Sequence, residues 1–179
     1  MSAFENAETA FVSTTQEVDW ASVYDELLPK VYHYFCLRVG NRIEAEDLAA
    51  STFERAWRDR ERYRKDLGGF TNWLFGIARH VLVDHYRKNQ REKPFSHEIR
   101  VEESIQPLEE EAIHKEGFEH IVRVLATLPE REREIFSLKF GAQFTNRAIA
   151  KITKLTESNV GTILHRLVSR MREQMEDEK

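Results

Sequence analysis

The sequence predicts an all-α protein of two small helical domains, an N-terminal helical bundle and a C-terminal helix-turn-helix, joined by a flexible linker. Three observations carry that prediction. Apolar residues recur at spacings of three and four through two separate stretches of the chain, as they do in amphipathic helices. Helix breakers are few, with seven Gly and four Pro among 179 residues, while Leu, Ile, Arg and Glu are plentiful. The periodicity fails between the two stretches, where Pro94, Pro107 and the acidic cluster Glu109-Glu110-Glu111 occur.

Residues 1–19 show weak periodicity and several Ser, Thr and Glu, so a disordered tail is expected there. The first domain is expected over 20–90. Its first helix begins at Trp20 and carries Val23, Leu27, Val31, Tyr34 and Phe35 on one stripe. Pro29 falls inside that run and is expected to bend or split it, because proline removes a backbone donor. Gly40-Asn41 is a stop and a turn. A second helix is expected from Ile43 to about Arg62, with Ala45, Leu48, Ala49, Phe53, Ala56 and Trp57 on one side. Leu67-Gly68-Gly69 breaks the pattern, and a third helix resumes with Phe70, Trp73, Leu74, Ile77, Val81 and Leu82.

The linker is expected over 91–111 and the second domain over 112–179. Ile113, Phe118, Ile121, Val122 and Leu125 mark a helix within about 109–126. Pro129 opens the next helix in its first turn, where a missing N–H costs nothing. Ile135, Phe136 and Leu138 then point inward and Gly141 ends the helix. A short helix from Asn146 to Thr153 is expected to bury Ala148, Ile149 and Ile152. Lys154-Leu155-Thr156 is the turn, with Thr156 the expected N-cap of a last helix from about Glu157 to Met175. The apolar stripe of that helix is Val160, Ile163, Leu164, Leu167, Met171 and Met175.

The net charge of −4 is unequally distributed. Residues 1–19 carry −4 and residues 94–111 carry −5, whereas 20–93 carry +3 and 112–179 carry +2. Both domains are therefore mildly basic, which suits contact with phosphates. Cys36 is the only cysteine, which excludes an internal disulfide and a multi-cysteine metal site; among Tyr34, Phe35 and Leu37 it reads as a small core residue. No apolar run approaches the roughly 20 residues of a membrane span, so no membrane insertion is expected. The first residues lack a basic start and an apolar stretch, so a cytoplasmic protein is expected. No nucleophile, paired carboxylate or phosphate loop stands in a catalytic context, and Gly68-Gly69 reads as a turn. The expectation is a non-enzyme with no metal and no cofactor.

Two surfaces suit nucleic acid. In the second domain, two short helices joined by a tight turn suit a reader of the major groove. The last helix leaves Ser158, Asn159, Thr162, His165, Arg166, Ser169 and Arg170 facing outward. Small polar residues near a helix N-terminus can bond phosphates, and arginines four apart can reach phosphate or guanine edges. An ordinary amphipathic helix of a bundle is the alternative. In the first domain, residues 55–65 hold six bases and two acids, just before the turn Leu67-Gly68-Gly69-Phe70. Bases beside glycines and rings suit single-stranded nucleic acid, since charge tracks the backbone and a ring stacks on an unpaired base. For Phe70 and Trp73 themselves, a place in the core is the preferred reading.

In sequence order these motifs resemble the extracytoplasmic-function (ECF) sigma factors of bacterial RNA polymerase. Ala45-Glu46-Asp47-Leu48, Phe53-Glu54-Arg55-Ala56-Trp57, Trp73-Leu74 and Ile77-Ala78 with Asp84 and Arg87 resemble the family's first domain. Leu128-Pro129-Glu130-Arg131-Glu132-Arg133, Ile149-Ala150 and Val160-Gly161-Thr162-Ile163 with Arg166 resemble its second. The resemblance spans about residues 20–175.

It implies a promoter-specificity subunit that binds core RNA polymerase at the β′ clamp and β flap, binds promoter DNA, and is held by an anti-sigma factor. Asp47, Leu48, Ser51, Phe53, Glu54 and Trp57 would meet the β′ clamp, although Phe53 and Trp57 also fit a core role. The loop and outer helix face holding Arg64, Lys65, Asp66, Gly68, Gly69, Phe70, Asn72, Arg79, His80 and Arg87 would read the −10 element. There a non-template base is captured out of the stack, at a cost of a few kcal/mol. The outward residues of the last helix would read the −35 element. The acidic linker would thread toward the active site and mimic nucleic acid.

Two departures from the family pattern stand out. Ala148 occupies the position of the usual capping glutamate, so that cap must be made otherwise. Leu164 and His165 stand where a basic residue and a serine are common, which implies an altered −35 preference. Two other readings compete: a sigma-like mimic that sequesters an anti-sigma factor without initiating transcription, and a plain helix-turn-helix regulator, which leaves the first domain unexplained.

Overall fold

A computed structural model describes residues 18–92 and 109–177, and all regular structure among them is helical. Most of the expected tail and linker lies outside the described residues, as do the side chains of Ile113 and Met175. The first domain contains α1 (Trp20–Val39), α2 (Arg42–Arg58) and α3 (Phe70–Glu92). The second contains α4 (Glu109–Ala126), α5 (Glu130–Phe136), α6 (Asn146–Thr153) and α7 (Glu157–Asp177).

Local capping explains most boundaries. Asp19 caps α1 by accepting from the Ser22 backbone N–H at 3.3 Å and from the Ser22 hydroxyl at 2.6 Å. Those bonds hold its carboxyl below the ordinary aspartate value. Pro29 neither splits α1 nor ends it. The carbonyl left without a donor is that of Asp25, an exposed residue, so water can replace the lost bond. Gly40 then takes the left-handed conformation at φ 71°, and its N–H donates to the Cys36 carbonyl. Asn41 caps α2 through Glu44 N–H at 3.0 Å.

The second helix is shorter than the expected span to Arg62. It ends at Arg58, and Arg60–Arg62 form a tighter 3₁₀ turn. Arg60 fixes this turn by stacking over the Trp57 ring at 4.5 Å and donating to the Trp57 carbonyl. In the second domain the helix begun at Glu130 does not stop at a simple glycine cap. It widens into a π turn over Ser137–Gly141, in which Ala142 N–H reaches back five residues to the Ser137 carbonyl.

The short helix α6 and the long helix α7 are both capped by threonines. Thr145 accepts from the Ala148 N–H and Thr156 accepts from the Asn159 N–H, both at 3.2 Å. Thr145 thus makes the half of the capping box that does not depend on the side chain at position 148. Thr145→Ala is expected to cost about 1 kcal/mol of stability, read as a shift in the urea midpoint at unchanged slope. No shift would mean that the bond contributes nothing to α6. Ala148 and Ile152, expected in the core, are only half-buried, because α6 is a short helix lying near the surface.

The core is continuous across both domains. Tyr34, Phe35, Leu74 and Phe75 are fully enclosed on the first side, and Leu125, Ile135, Leu138, Ile149 and Leu167 on the second. Each such side chain contributes about 1.5–3 kcal/mol through removal from water. Cys36 is buried among them, and burial raises its thiol pKa. Helix α1 packs on α2 and also on the π turn, while α3 lies against α6. The two domains therefore meet directly.

Candidate functional site

Three surfaces hold the residues singled out from sequence. The first is the exposed side of α2. Its apolar stripe of Ala45, Leu48, Ala49, Thr52, Phe53 and Ala56 turns inward. Asp47 and Glu54 are exposed and Ser51 half-exposed, at spacings of four and three on the opposite side. Leu48 and Phe53 are both 7% exposed, so they support this surface from beneath and are not part of it. Trp57 behaves differently. Its ring is one position past the stripe and is 52% exposed, held edge-on by Trp20 with centroids 5.1 Å apart. Ile43 and Tyr24 are also exposed apolar residues in this domain. The sequence did not single these two out, because a lone apolar residue at a stripe edge looks like core.

The second surface is a cleft of about 510 Å³ beside the glycine turn. Arg64, Gly68, Gly69, Asn72 and Arg79, all singled out from sequence, line it together. Arg62, Trp73 and Gly76 complete the first domain's share, and Lys151 and Ile152 of α6 form the far wall. Gly68 has φ 157° and ψ 165°, a region that suits glycine, and nothing lies within 4 Å of where a Cβ would be at Gly68 or Gly69. The chain here can therefore approach a ligand closely. Arg64 is paired with Asp66 at 2.8 Å, and that hydrogen bond raises its pKa further.

Phe70 and Trp73 sit in an aromatic cluster. Phe70 meets Trp20, Tyr63 and Trp73 with centroids 5.2–5.4 Å apart. The core role preferred for these rings fits that cluster. Lys65 and Asp66 are exposed on the turn outside the cleft lining. Further along α3, His80 and Arg87 are exposed to one side of the half-buried Asn72 and Arg79. Asp84 is held to α2 by a 2.7 Å bond from Arg55, which lowers its carboxyl pKa.

The third surface is the outer face of α7. Ser158, Asn159, Thr162, His165, Arg166 and Arg170 are exposed, and Ser169 is half-buried. Ser158, Thr162, His165 and Ser169 follow one face at spacings of four and three. Leu164 is buried at 7%, so of the two unusual residues only His165 stands on the outward face. Arg170 Nη1 lies 3.4 Å from Glu132 of α5.

Two family models match the chain. A model of sigma-70 region 2 matches residues 23–92, and a model of sigma-70 region 4 matches residues 118–171. SigM, an ECF RNA polymerase sigma factor of Bacillus subtilis, is 25% identical over 150 residues, covering 84% of this chain and 91% of its own. SigW of the same organism is 26% identical over 172 residues, covering 88% and 89%. This chain is an ECF sigma factor. It is a promoter-specificity subunit of transcription initiation. The fold agrees: the sigma factor superposes on RpoE of Bartonella quintana, solved in complex with the anti-sigma factor NepR, with a TM-score of 0.69 at 21% identity. That match covers 90% of this chain and 99% of that one. Region 2 thus holds the exposed side of α2 and the near wall of the glycine-turn cleft, and region 4 holds the far wall of that cleft and the α7 face.

Sequence reasoning missed Arg62, Gly76, Lys151 and Ile152 of the cleft. Arg62 had a visible signal, since it belongs to the base-rich run 55–65. Lys151 and Ile152 had none, because they reach the cleft only through the packing of α6 on α3.

Proposed function

We infer that the three surfaces divide the work of initiation among them. The exposed side of α2, with Asp47, Ser51, Glu54 and Trp57, docks on the β′ clamp of core polymerase. The cleft and outer face of α3 capture the −10 non-template strand. The α7 face reads the −35 duplex. The carrying observation is that the residues expected for the −10 strand converge on one cleft, with Arg64, Gly68, Gly69, Asn72 and Arg79 as its lining. A cationic groove beside an open glycine backbone fits a single strand, whose phosphates need charge and whose bases need room. The domain division at 20–90, 91–111 and 112–179 belongs to this reading, as does contact of region 4 with the β flap.

The chain itself makes and breaks no bonds; chemistry belongs to the polymerase. Cytoplasmic residence fits the finding that no described helix is long and apolar enough to cross a membrane. An anti-sigma partner is proposed from the complex in which the Bartonella quintana relative was solved.

The reading is tested by mixing the purified chain with core polymerase and the DNA upstream of its own operon, then mapping transcripts. A specific start site is expected; no transcript together with no core binding would overturn it. Charge reversal at Asp47 or Glu54 is expected to weaken core binding about tenfold or more, as for loss of a charged interface contact, with the α-helical circular dichroism unchanged. Unchanged affinity in both variants would remove this side of α2 from the interface.

A further inference from the structure

The glycine turn beside the cleft is tied down by a side chain from outside it. Tyr63 stands between the 3₁₀ turn Arg60–Arg62 and a second one, Lys65–Leu67. Its ring packs against Phe70 and Trp73, with centroids 5.2 and 5.4 Å apart, and Phe70 is backed in turn by Trp20. From that seat the Tyr63 hydroxyl donates to the Gly68 carbonyl at 3.3 Å. The Gly68 N–H donates to the Lys65 carbonyl, also at 3.3 Å. Both backbone polar groups of Gly68 are thus engaged, one by its own turn and the other by Tyr63. Phenylalanine would fill the same seat in the ring cluster, so the hydroxyl is the part of Tyr63 that packing does not require.

We propose that Tyr63 is a positioning residue of the −10 site, whose hydroxyl holds the Gly68–Gly69 peptide in the one orientation that a single strand meets. This rests on the reading of the cleft as the −10 site. Two consecutive glycines are the least constrained backbone a chain can offer. No packing fixes this pair, since nothing lies within 4 Å of where either Cβ would be. A planar trans peptide points the Gly69 N–H opposite to the Gly68 carbonyl. With that carbonyl tied to Tyr63, the Gly69 N–H is turned away from the hydroxyl, and it has no acceptor among the described residues. Gly69 is exposed and lines the cleft with Arg64 and Asn72, whereas Tyr63 does not line it. Tyr63 therefore acts on the strand through the turn.

Tyr63→Phe removes the hydroxyl and keeps the ring. The 68–69 peptide is then free to rotate, and only the fraction of turns in the competent shape binds. Apparent affinity falls by that fraction. One hydrogen bond between neutral groups shifts such a population about three- to tenfold. No charge changes, so the number of phosphates neutralised and the salt slope stay the same. Arg64→Ala is the counterpart, because it removes a cation from the lining and leaves the tie to Gly68 in place.

The test uses holoenzyme assembled from the full chain and core polymerase. The probe is single-stranded non-template DNA spanning the −10 region of the start site upstream of the chain's own operon. Tyr63→Phe is expected to weaken its binding about three- to tenfold with the salt slope unchanged. Affinity for core is expected to stay within about twofold, as for a substitution away from that contact. Amide exchange at Gly68 and Gly69 is expected to quicken in the variant, while the buried part of α3 exchanges as in wild type. Arg64→Ala is expected to weaken binding and to lower the slope by about 1. Unchanged oligonucleotide affinity in Tyr63→Phe, beside a weakened Arg64→Ala, would overturn the positioning role and leave the −10 reading standing. Lost core affinity or a general loss of exchange protection in Tyr63→Phe would make the residue merely structural and would also overturn the proposal. Wild-type holoenzyme that does not bind the oligonucleotide would overturn the −10 reading, and the role of Tyr63 with it.

Discussion

Phe75→Ala is expected to destabilise the protein by about 3–5 kcal/mol, the usual range for emptying a fully buried aromatic site. For a chain of this size that lowers the thermal midpoint by roughly 6–20 °C. Phe75 is fully buried and lies at the junction of the two domains. Its ring meets Tyr34 with centroids 5.6 Å apart and Phe144 with centroids 4.6 Å apart. Removing it opens a cavity in region 2 and strips Phe144 of its partner in region 4. One cooperative transition is therefore expected in wild type, by both fluorescence and far-ultraviolet circular dichroism. Phe75→Ala is expected to shift both probes together or to split them as region 4 separates. A double-mutant cycle with Phe144→Ala should return about 0.5–1.5 kcal/mol of coupling for the ring pair. Strict additivity would mean that the two rings do not communicate across the junction. A loss below about 1.5 kcal/mol for Phe75→Ala would mean that the site collapses around the deletion.

Particular residues show what was legible in the sequence. Helix positions were readable because each domain buries one stripe per helix, and that demand writes itself into spacings of three and four. Caps were readable where a single short side chain reaches its own backbone, as at Thr156. Trp57 and Phe53 mark the limit of this method. Both are aromatic, both lie on α2, and they are four residues apart, yet one is half-exposed and the other enclosed. Both meet a ring of α1, Phe53 that of Tyr24 with centroids 4.8 Å apart and Trp57 that of Trp20 at 5.1 Å, but Trp57 stands in the last turn of α2, where the chain passes into the 3₁₀ segment. Leu164 fits both the apolar stripe and an altered recognition position by sequence, and burial permits only the first role.

Contacts between the domains were not legible at all. Arg38 pairs with Glu130 across 92 positions, and Arg79 with Glu134 across 55. Neither charge differs in local pattern from dozens of surface charges nearby. Burial of Arg38 needs a partner because an unpaired buried charge is far costlier than a paired one. Its Nε and Nη1 have no protein acceptor among the described residues, so the pair with Glu130 satisfies only part of the guanidinium.

Arg166→Ala is expected to weaken binding to the −35 duplex by about 1–3 kcal/mol, or roughly 5- to 150-fold, while leaving core affinity unchanged. Arg166 is exposed on α7, beside the face that carries Ser158, Thr162 and His165. Arg170 is exposed one turn further on but is already near Glu132, so its substitution also releases an acid next to the DNA. Two contributions then oppose the DNA in that variant: a lost cation and a freed carboxylate. Salt dependence distinguishes what Arg166 touches. If it meets a phosphate, the slope of log K against log salt falls by about 1 and all sequences weaken together. If it reads a guanine edge, the slope changes little and discrimination at one base pair is lost. Reduced core affinity on replacing Arg166, with duplex affinity intact, would place region 4's exposed face against polymerase. The assignment of α7 to the promoter would then be wrong, since one exposed arginine cannot serve both partners in the same complex.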